Sequence, residues 1–197
     1  MNKLRTWVLD NIVAVILSVV FILFYIIRAI FPSLNTVFGA CDYPYLNGQV
    51  YRYFSCIFLH YNLYNLIINI IGLLAISTLL SKFICKFKLL IIFIVTGILS
   101  EVIYGFFVSG NLSYGGGASG AIFGLIALFL VCYLRFPNSF NIKWYNIDSL
   151  IVIVYFIISN NSWSAALTHL SGFAIGIVLS FLLVILKVIK EPVSLDN

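Results

Sequence analysis

The sequence of 197 residues predicts an all-α polytopic membrane protein crossing the bilayer with six transmembrane helices. Three observations predict it. Hydrophobic residues make up 63% of the chain against 9% charged, and the mean hydropathy is +1.14, which no soluble globular domain matches. The apolar residues fall into six runs of near-spanning length. The basic residues collect in alternate connections between those runs.

A helix rising 1.5 Å per residue needs roughly 20 residues to cross about 30 Å of hydrocarbon. The first run, residues 12–27, outlasts a signal-peptide h-region and has no small-x-small cleavage site after it, so it is expected to remain in the chain. Residues 61–80 and 89–107 form the second and third runs, and residues 117–134 form the fourth. The fifth, residues 147–160, is the shortest, and the sixth covers residues 165–189. There is no repeat, low-complexity tract or linker, so residues 1–197 read as one membrane domain with a core of about 8–190.

Lys3, Arg5, Lys82, Lys86, Lys88, Arg135, Lys143, Lys187 and Lys190 all fall on one side of this arrangement, and only Arg28 and Arg52 on the other. The positive-inside rule then makes both termini cytoplasmic and puts the connection of residues 31–59 outside, in a multi-pass protein of the plasma membrane. Topology accounts for the net charge of +5, so nucleic-acid binding is not expected. Cys41, Cys56, Cys85 and Cys132 show no metal-ligand spacing. Cys41 and Cys56 are both external, and the sequence leaves their pairing open.

Polar side chains are costly in lipid unless they face protein or water, so they mark the interior. In the second run Asn62, Asn65 and Asn69 share a helical face with Gly72, and His60 precedes them. Alone, that stripe reads as interhelical hydrogen bonding. In the sixth run "HLSGFAIG" aligns His169, Gly172 and Gly176 above Ser180. In the fourth, Gly116, Gly120, Gly124 and Ala127 form a matching small-residue track beside Ser119. If the two tracks pack together, Ser119 and His169 meet roughly 5 to 10 Å below the outer surface. A serine hydroxyl becomes a nucleophile when a base adjoins it, and histidine is the usual one. Asn65 and Asn69 would offer amide donors to an oxyanion. In "YGGGASGAIFGLIA", Gly115 to Gly117 give the backbone freedom and room beside Ser119, and packing alone explains them less well once His169 stands at the same depth. Glu101, in the third run, reads as a structural residue hydrogen-bonded in the bundle interior.

With these residues in place, the chain resembles the rhomboid family of intramembrane serine proteases over about residues 48–176. "GQVYRYFSCIFLH" resembles the family's external loop, with Tyr51 and Arg52 as its aromatic–Arg pair. "HYNLYNLIIN" resembles its H-x4-H-x3-N run, "GASG" its nucleophile motif and "HLSGFAIG" its H-x2-G-x3-G motif. The resemblance implies a rhomboid-like six-helix bundle with Ser119 as nucleophile and His169 as general base. It further implies Asn69 and the Ser119 backbone N–H as oxyanion donors, supported by Asn65 and Gly117, and Arg52 as a stabiliser of the loop. No cofactor or metal is implied, and the implied partners are transmembrane protein substrates in the lipid bilayer, cut in or near their helices after a small residue. One departure stands out: the second histidine of the H-x4-H-x3-N run is Asn65 here, whose amide can still donate. Two other readings are a non-catalytic rhomboid-like protein that binds transmembrane helices and a small transporter lined by the asparagines. The second conflicts with the apolar "IIGLLAISTLL" below Asn69.

Overall fold

The computed structural model describes residues 2–41, 47–81, 83–107, 115–137, 147–159 and 162–189; Lys82, Tyr114, Lys143, Asn160 and Lys190 lie outside them. The described residues fold into helices joined by short connections. They run α1 (Lys3–Asp10), α2 (Ile12–Ile30), α3 (Leu34–Phe38), α4 (Arg52–Ser55), α5 (Leu63–Leu80), α6 (Lys86–Phe107), α7 (Ser119–Arg135), α8 (Ile147–Ile158) and α9 (Trp163–Ile185). Each of the six apolar runs forms a helix. Four of these, α2, α5, α6 and α9, are long and apolar enough to cross a membrane, whereas α7 has 17 residues and α8 only 12.

Capping explains two of the starts. The Asn62 side chain accepts from the Asn65 N–H at 2.7 Å, and the Ser162 hydroxyl accepts from the Ala165 N–H at 3.2 Å, each satisfying an N–H that the helix leaves without an acceptor. Asn62 therefore caps α5 from outside the helix and does not extend the Asn65–Asn69 stripe. Buried hydroxyls further along return to their own helices: Thr96 to the Ile92 carbonyl, Ser100 to the Gly97 carbonyl and Ser180 to the Gly176 carbonyl.

The central element is α7, buried at nearly every position from Gly120 to Leu128. Its glycines let neighbours approach on both sides. A Cβ on Gly172 would press into the Gly120 carbonyl, and one on Gly176 would lie 2.5 Å from the Gly124 carbonyl and 2.8 Å from Ala127 Cβ. On the other side, a Cβ on Gly120 would collide with Ser100 and one on Gly124 with Thr96, both on α6. The small-residue tracks of α7 and α9 thus do pack together, but Gly116 is not part of them. It lies ahead of the helix, against the Cys56 carbonyl.

These contacts also set direction. Gly120 meets Gly172 and Gly124 meets Gly176, so α7 and α9 run parallel and α8 must carry the chain back between them. The Arg28 guanidinium, near the end of α2, donates to the carbonyls of His60 and Tyr61 just before α5, so those two helices run oppositely. Lys88 Nζ donates to the Val188 carbonyl, joining the start of α6 to the end of α9. Trp7 Nε1 donates to Thr78 Oγ1, which puts α1 beside the last turns of α5 at that same end. The outside of the bundle is apolar, with Val19, Leu23 and Ile26 of α2 and Val178, Phe181 and Leu182 of α9 exposed, as hydrocarbon contact requires.

If the α7–α9 contact is as close as these backbones indicate, a single methyl group at its centre should be felt. Gly172→Ala is expected to lower stability by about 1–3 kcal/mol through overpacking, read as a drop in the thermal unfolding midpoint in detergent. Gly115→Ala, whose Cβ would meet nothing within 4 Å, serves as the contrast. Equal effects at both positions would show that the helices are not held backbone to backbone.

Candidate active site

Ser119 stands at the first position of α7, and the loop before it is tied to the α3–α4 region. Gly115 forms an antiparallel bridge with Ala40: the Ala40 N–H donates to the Gly115 carbonyl at 2.9 Å, and the Gly115 N–H donates to the Ala40 carbonyl at 2.8 Å. The Tyr61 hydroxyl donates to the same carbonyl at 3.1 Å. The next two glycines are required for different reasons. A Cβ on Gly116 would lie 2.7 Å from the Cys56 carbonyl, and Gly117 has φ +145°, which strains any other residue. The Gly117 N–H donates to the Cys56 carbonyl at 2.9 Å. Ser119 thus emerges from a clamped loop onto a helix start, where the first backbone N–H groups have no acceptor inside the helix.

His169 lies two turns into α9 and is 3% exposed. Its ring stacks on Phe123, with centroids 4.3 Å apart and planes at 6°. Phe123 is one turn beyond Ser119 on α7, so the helical repeat that presents Ser119 also presents the platform for His169. Phe123 in turn packs against Tyr155 of α8 at 5.8 Å, and the Tyr155 hydroxyl donates to Asn69 Oδ1 at 3.1 Å. The Tyr155 ring also covers Gly72 of α5, where a Cβ would lie 2.6 Å away. Four helices are joined through this aromatic chain. Neither Phe123 nor Tyr155 stands out in the sequence; the one signal there is the i+4 spacing that puts Phe123 on the Ser119 face of α7.

Ser119, His169, Asn65, Asn69 and Glu101 line one cavity of about 290 Å³ at the end of the bundle where α5, α7 and α9 begin. Gly117 sits behind its wall, with the site of its absent Cβ 3.5 Å from Asn65 Oδ1 and 4.0 Å from Ser119 Oγ. Asn69 is fully buried, and its Nδ2 donates to the Asn65 carbonyl at 2.7 Å. Its amide therefore bonds its own helix and α8, the interhelical role that an asparagine stripe suggests by itself. Asn65 Oδ1 is buried with no hydrogen-bond partner among the described residues. Glu101 departs from its expectation: it faces the cavity and makes no hydrogen bond among the described residues. Arg52 lies outside the cavity wall and donates to the Gly39 carbonyl at 3.1 Å and to Gln49 Oε1 at 2.7 Å, holding the loop. Cys41 and Cys56 are buried and form no disulfide.

Behind the cavity, His60 is completely buried, with Nδ1 3.3 Å from the Phe58 carbonyl and its ring 4.8 Å from Phe21. Its Nε2 has no partner. Burial pulls the pKa of His60 from 6.5 to about 4, so the ring is neutral at physiological pH. Arg28 does not compensate with an acid. Its guanidinium spans the His60 and Tyr61 carbonyls and Asn35 Oδ1, 5.0 Å over the Tyr61 ring, and thereby fixes the entry to α5.

A family model described as the Rhomboid domain matches residues 47–186, well over half of the chain. A protein of Bacillus subtilis (strain 168) named "Putative rhomboid protease YdcA" is 29% identical over 141 residues, covering 70% of this chain and 69% of that protein. The matched region holds every residue of the cavity described above.

The His60 geometry has a consequence for acid stability. Its folded pKa lies below the unfolded value, so the unfolded chain binds more protons and stability falls as pH drops from about 6.5 toward 4. The expected loss is on the order of 3 kcal/mol across that window. Unfolding midpoints of wild type and His60→Gln, measured in detergent from neutral to acid pH, should show the shallower acid decline in the variant. Identical acid declines would assign the titration to another group.

Proposed function

The chain belongs to the rhomboid family, and from that premise we propose that it is an intramembrane serine endopeptidase in which Ser119 is the nucleophile and His169 its base. Its substrates are membrane-anchored proteins cut in or near a transmembrane helix. The observation that carries this reading is the shared cavity: the close contact of Gly120 with Gly172 brings the start of α7 and the second turn of α9 to one polar wall.

In the proposed reaction, Ser119 Oγ attacks the scissile carbonyl carbon while the His169 ring takes its proton. The carbonyl oxygen, now an oxyanion, lies toward the Ser119 N–H and the first-turn amides of α7, where the helix dipole favours negative charge. Collapse breaks the C–N bond, and the ring returns the proton to the leaving amine. A water then attacks the acyl ester by the same route, and no third carboxylate is needed to orient the histidine because Phe123 stacks it in place. Asn69 keeps one amide N–H beyond its bond to Asn65. Asn65 presents its oxygen toward Gly117, so it becomes a donor only when the amide turns over, a motion that no existing hydrogen bond of that oxygen resists. Substrate helices must locally unwind, since a hydrogen-bonded helix shields its carbonyls.

The activity series is the direct test. Ser119→Ala and His169→Ala should each reduce cleavage of a reporter transmembrane substrate by on the order of 10³-fold or more, with the double variant no worse than either single one. Asn65→Ala should lower turnover by at most about 10²-fold without abolishing it. Fluorophosphonate should label wild type in membranes and not Ser119→Ala. Cleavage by folded Ser119→Ala protein would defeat the mechanism, and a folded wild type that binds substrate helices without cutting or labelling would support the non-catalytic reading.

We further propose that the chain crosses the membrane six times, in the plasma membrane with both termini cytoplasmic. The parallel course of α7 and α9 supports a return through α8, although its 12 helical residues rise only about 18 Å. Lys3, Arg5, Lys86, Lys88, Arg135 and Lys187 gather at the end away from the cavity, while Arg28 and Arg52 stand at the cavity end. In a background without native cysteines, a cysteine at Asn47 should react with an impermeant reagent added outside and one at Lys86 should not. The reverse pattern would invert the topology.

A further inference from the structure

The proposed reaction leaves one group of the cavity wall without a task. Glu101, on α6, is 5% exposed and faces the same cavity as Ser119 and His169. It is the one acidic side chain in that wall among the described residues, and none of them gives it an ion pair or a hydrogen bond. Both external arginines are engaged elsewhere: Arg28 by the His60 and Tyr61 carbonyls and Asn35, and Arg52 by Gly39 and Gln49. The nearby hydroxyl of Tyr61 is committed to the Gly115 carbonyl.

A buried carboxyl without a donor is expensive, and membrane proteins keep ionisable groups where they meet water, a ligand or a pathway. Here the described residues supply no cation, and the open side of the carboxyl is the chamber that would receive the substrate. We propose that Glu101 is a specificity-determining residue: it forms a subsite for a substrate side chain ending in an ammonium or guanidinium group close to the scissile bond. The assignment rests on the reading of Ser119 and His169 as the reacting pair. A charge-assisted bond to a basic group satisfies the carboxylate far better than a neutral hydroxyl or amide would. Lysine and arginine also suit this depth, because near a helix end their stems lie in the apolar zone while their heads reach toward polar surroundings. The cavity of about 290 Å³ leaves space beside Ser119 for such a side chain.

The test compares rates of Ser119 modification by two fluorophosphonates of equal chain length, one ending in an amine and one in a methyl group. In parallel, cleavage is measured for reporter substrates in which Lys or Leu is placed at each of several positions flanking the cut. Wild type should favour the amine probe, and Lys at one flanking position, by roughly 10- to 100-fold. Glu101→Gln should bring both ratios close to one, and Glu101→Lys should favour a carboxylate-ended probe. If these variants fail to fold, Glu101→Asp, which keeps the charge on a shorter stem, should retain a reduced preference. Ratios near one in wild type, or an undiminished ratio in Glu101→Gln, would overturn the assignment. Failure of both probes to label wild type would instead defeat the Ser119–His169 reading.

Discussion

The contact on which the rest of the molecule depends is the backbone-to-backbone approach of α7 and α9. Without side chains at Gly120, Gly124, Gly172 and Gly176, the two helices come close enough for one to lie against the carbonyl groups of the other. In lipid there is little hydrophobic gain from burying leucine against leucine, so close packing of small residues is what holds membrane helices together. The same contact sets parallel direction, register and depth. It is the reason that a residue at the start of one helix and a residue two turns into the other share a cavity. Thr96 and Ser100 then fill the opposite side of α7, which leaves this central helix no freedom to slide.

A second constraint acts on the loop that precedes Ser119. The Ala40–Gly115 bridge, the Tyr61 hydroxyl and the Gly117 bond to Cys56 tie the chain at successive residues. Their partners are themselves anchored: Arg52 holds Gly39, and Ser55 holds the Phe38 carbonyl at 2.8 Å. Aromatic contacts from Phe24 to Phe38 and Phe58 fasten this layer to α2. Backbone hydrogen bonds dominate here because the glycines bring no side chains to pack. This layer therefore behaves as a fixed frame for Ser119.

Much of this arrangement was legible in the sequence, and the parts that were not share a physical cause. Helix positions followed from hydropathy, and the pairing of the two glycine tracks followed from their small-xxx-small spacing, because both signals are periodic along a single helix. What periodicity cannot report is the partner across space. Asn69 reads the same in sequence whether it faces a substrate or Tyr155, and the structure gives it Tyr155. Glu101 reads as a buried structural acid until its lack of a donor among the described residues becomes visible. Asn62 falls in phase with Asn65 and Asn69, yet the helix starts one residue later and uses it as a cap. Phe123 is one apolar residue among many in α7, and only the neighbouring His169 distinguishes it.

The distribution of unsatisfied polar groups completes the physical picture. Native proteins leave few buried donors or acceptors unpaired, since each costs about 1–3 kcal/mol, and those that persist concentrate where a ligand or water is to be accommodated. Among the described residues, Asn65 Oδ1 is buried without a hydrogen-bond partner in the cavity wall, while His60 Nε2 and Ser149 Oγ are unpaired outside it. Elsewhere in the bundle the hydroxyls of Ser18, Thr96, Ser100 and Ser180 are satisfied by the carbonyls of their own helices. An extended peptide entering the cavity brings backbone N–H and C=O groups that have lost their helical partners and are equally costly to leave unpaired in the membrane. On the proposed reading of the cavity, the unmet needs of its wall and of an unwound substrate strand would be of the same kind, and satisfying both at once would favour the unwound strand over the helix from which it came.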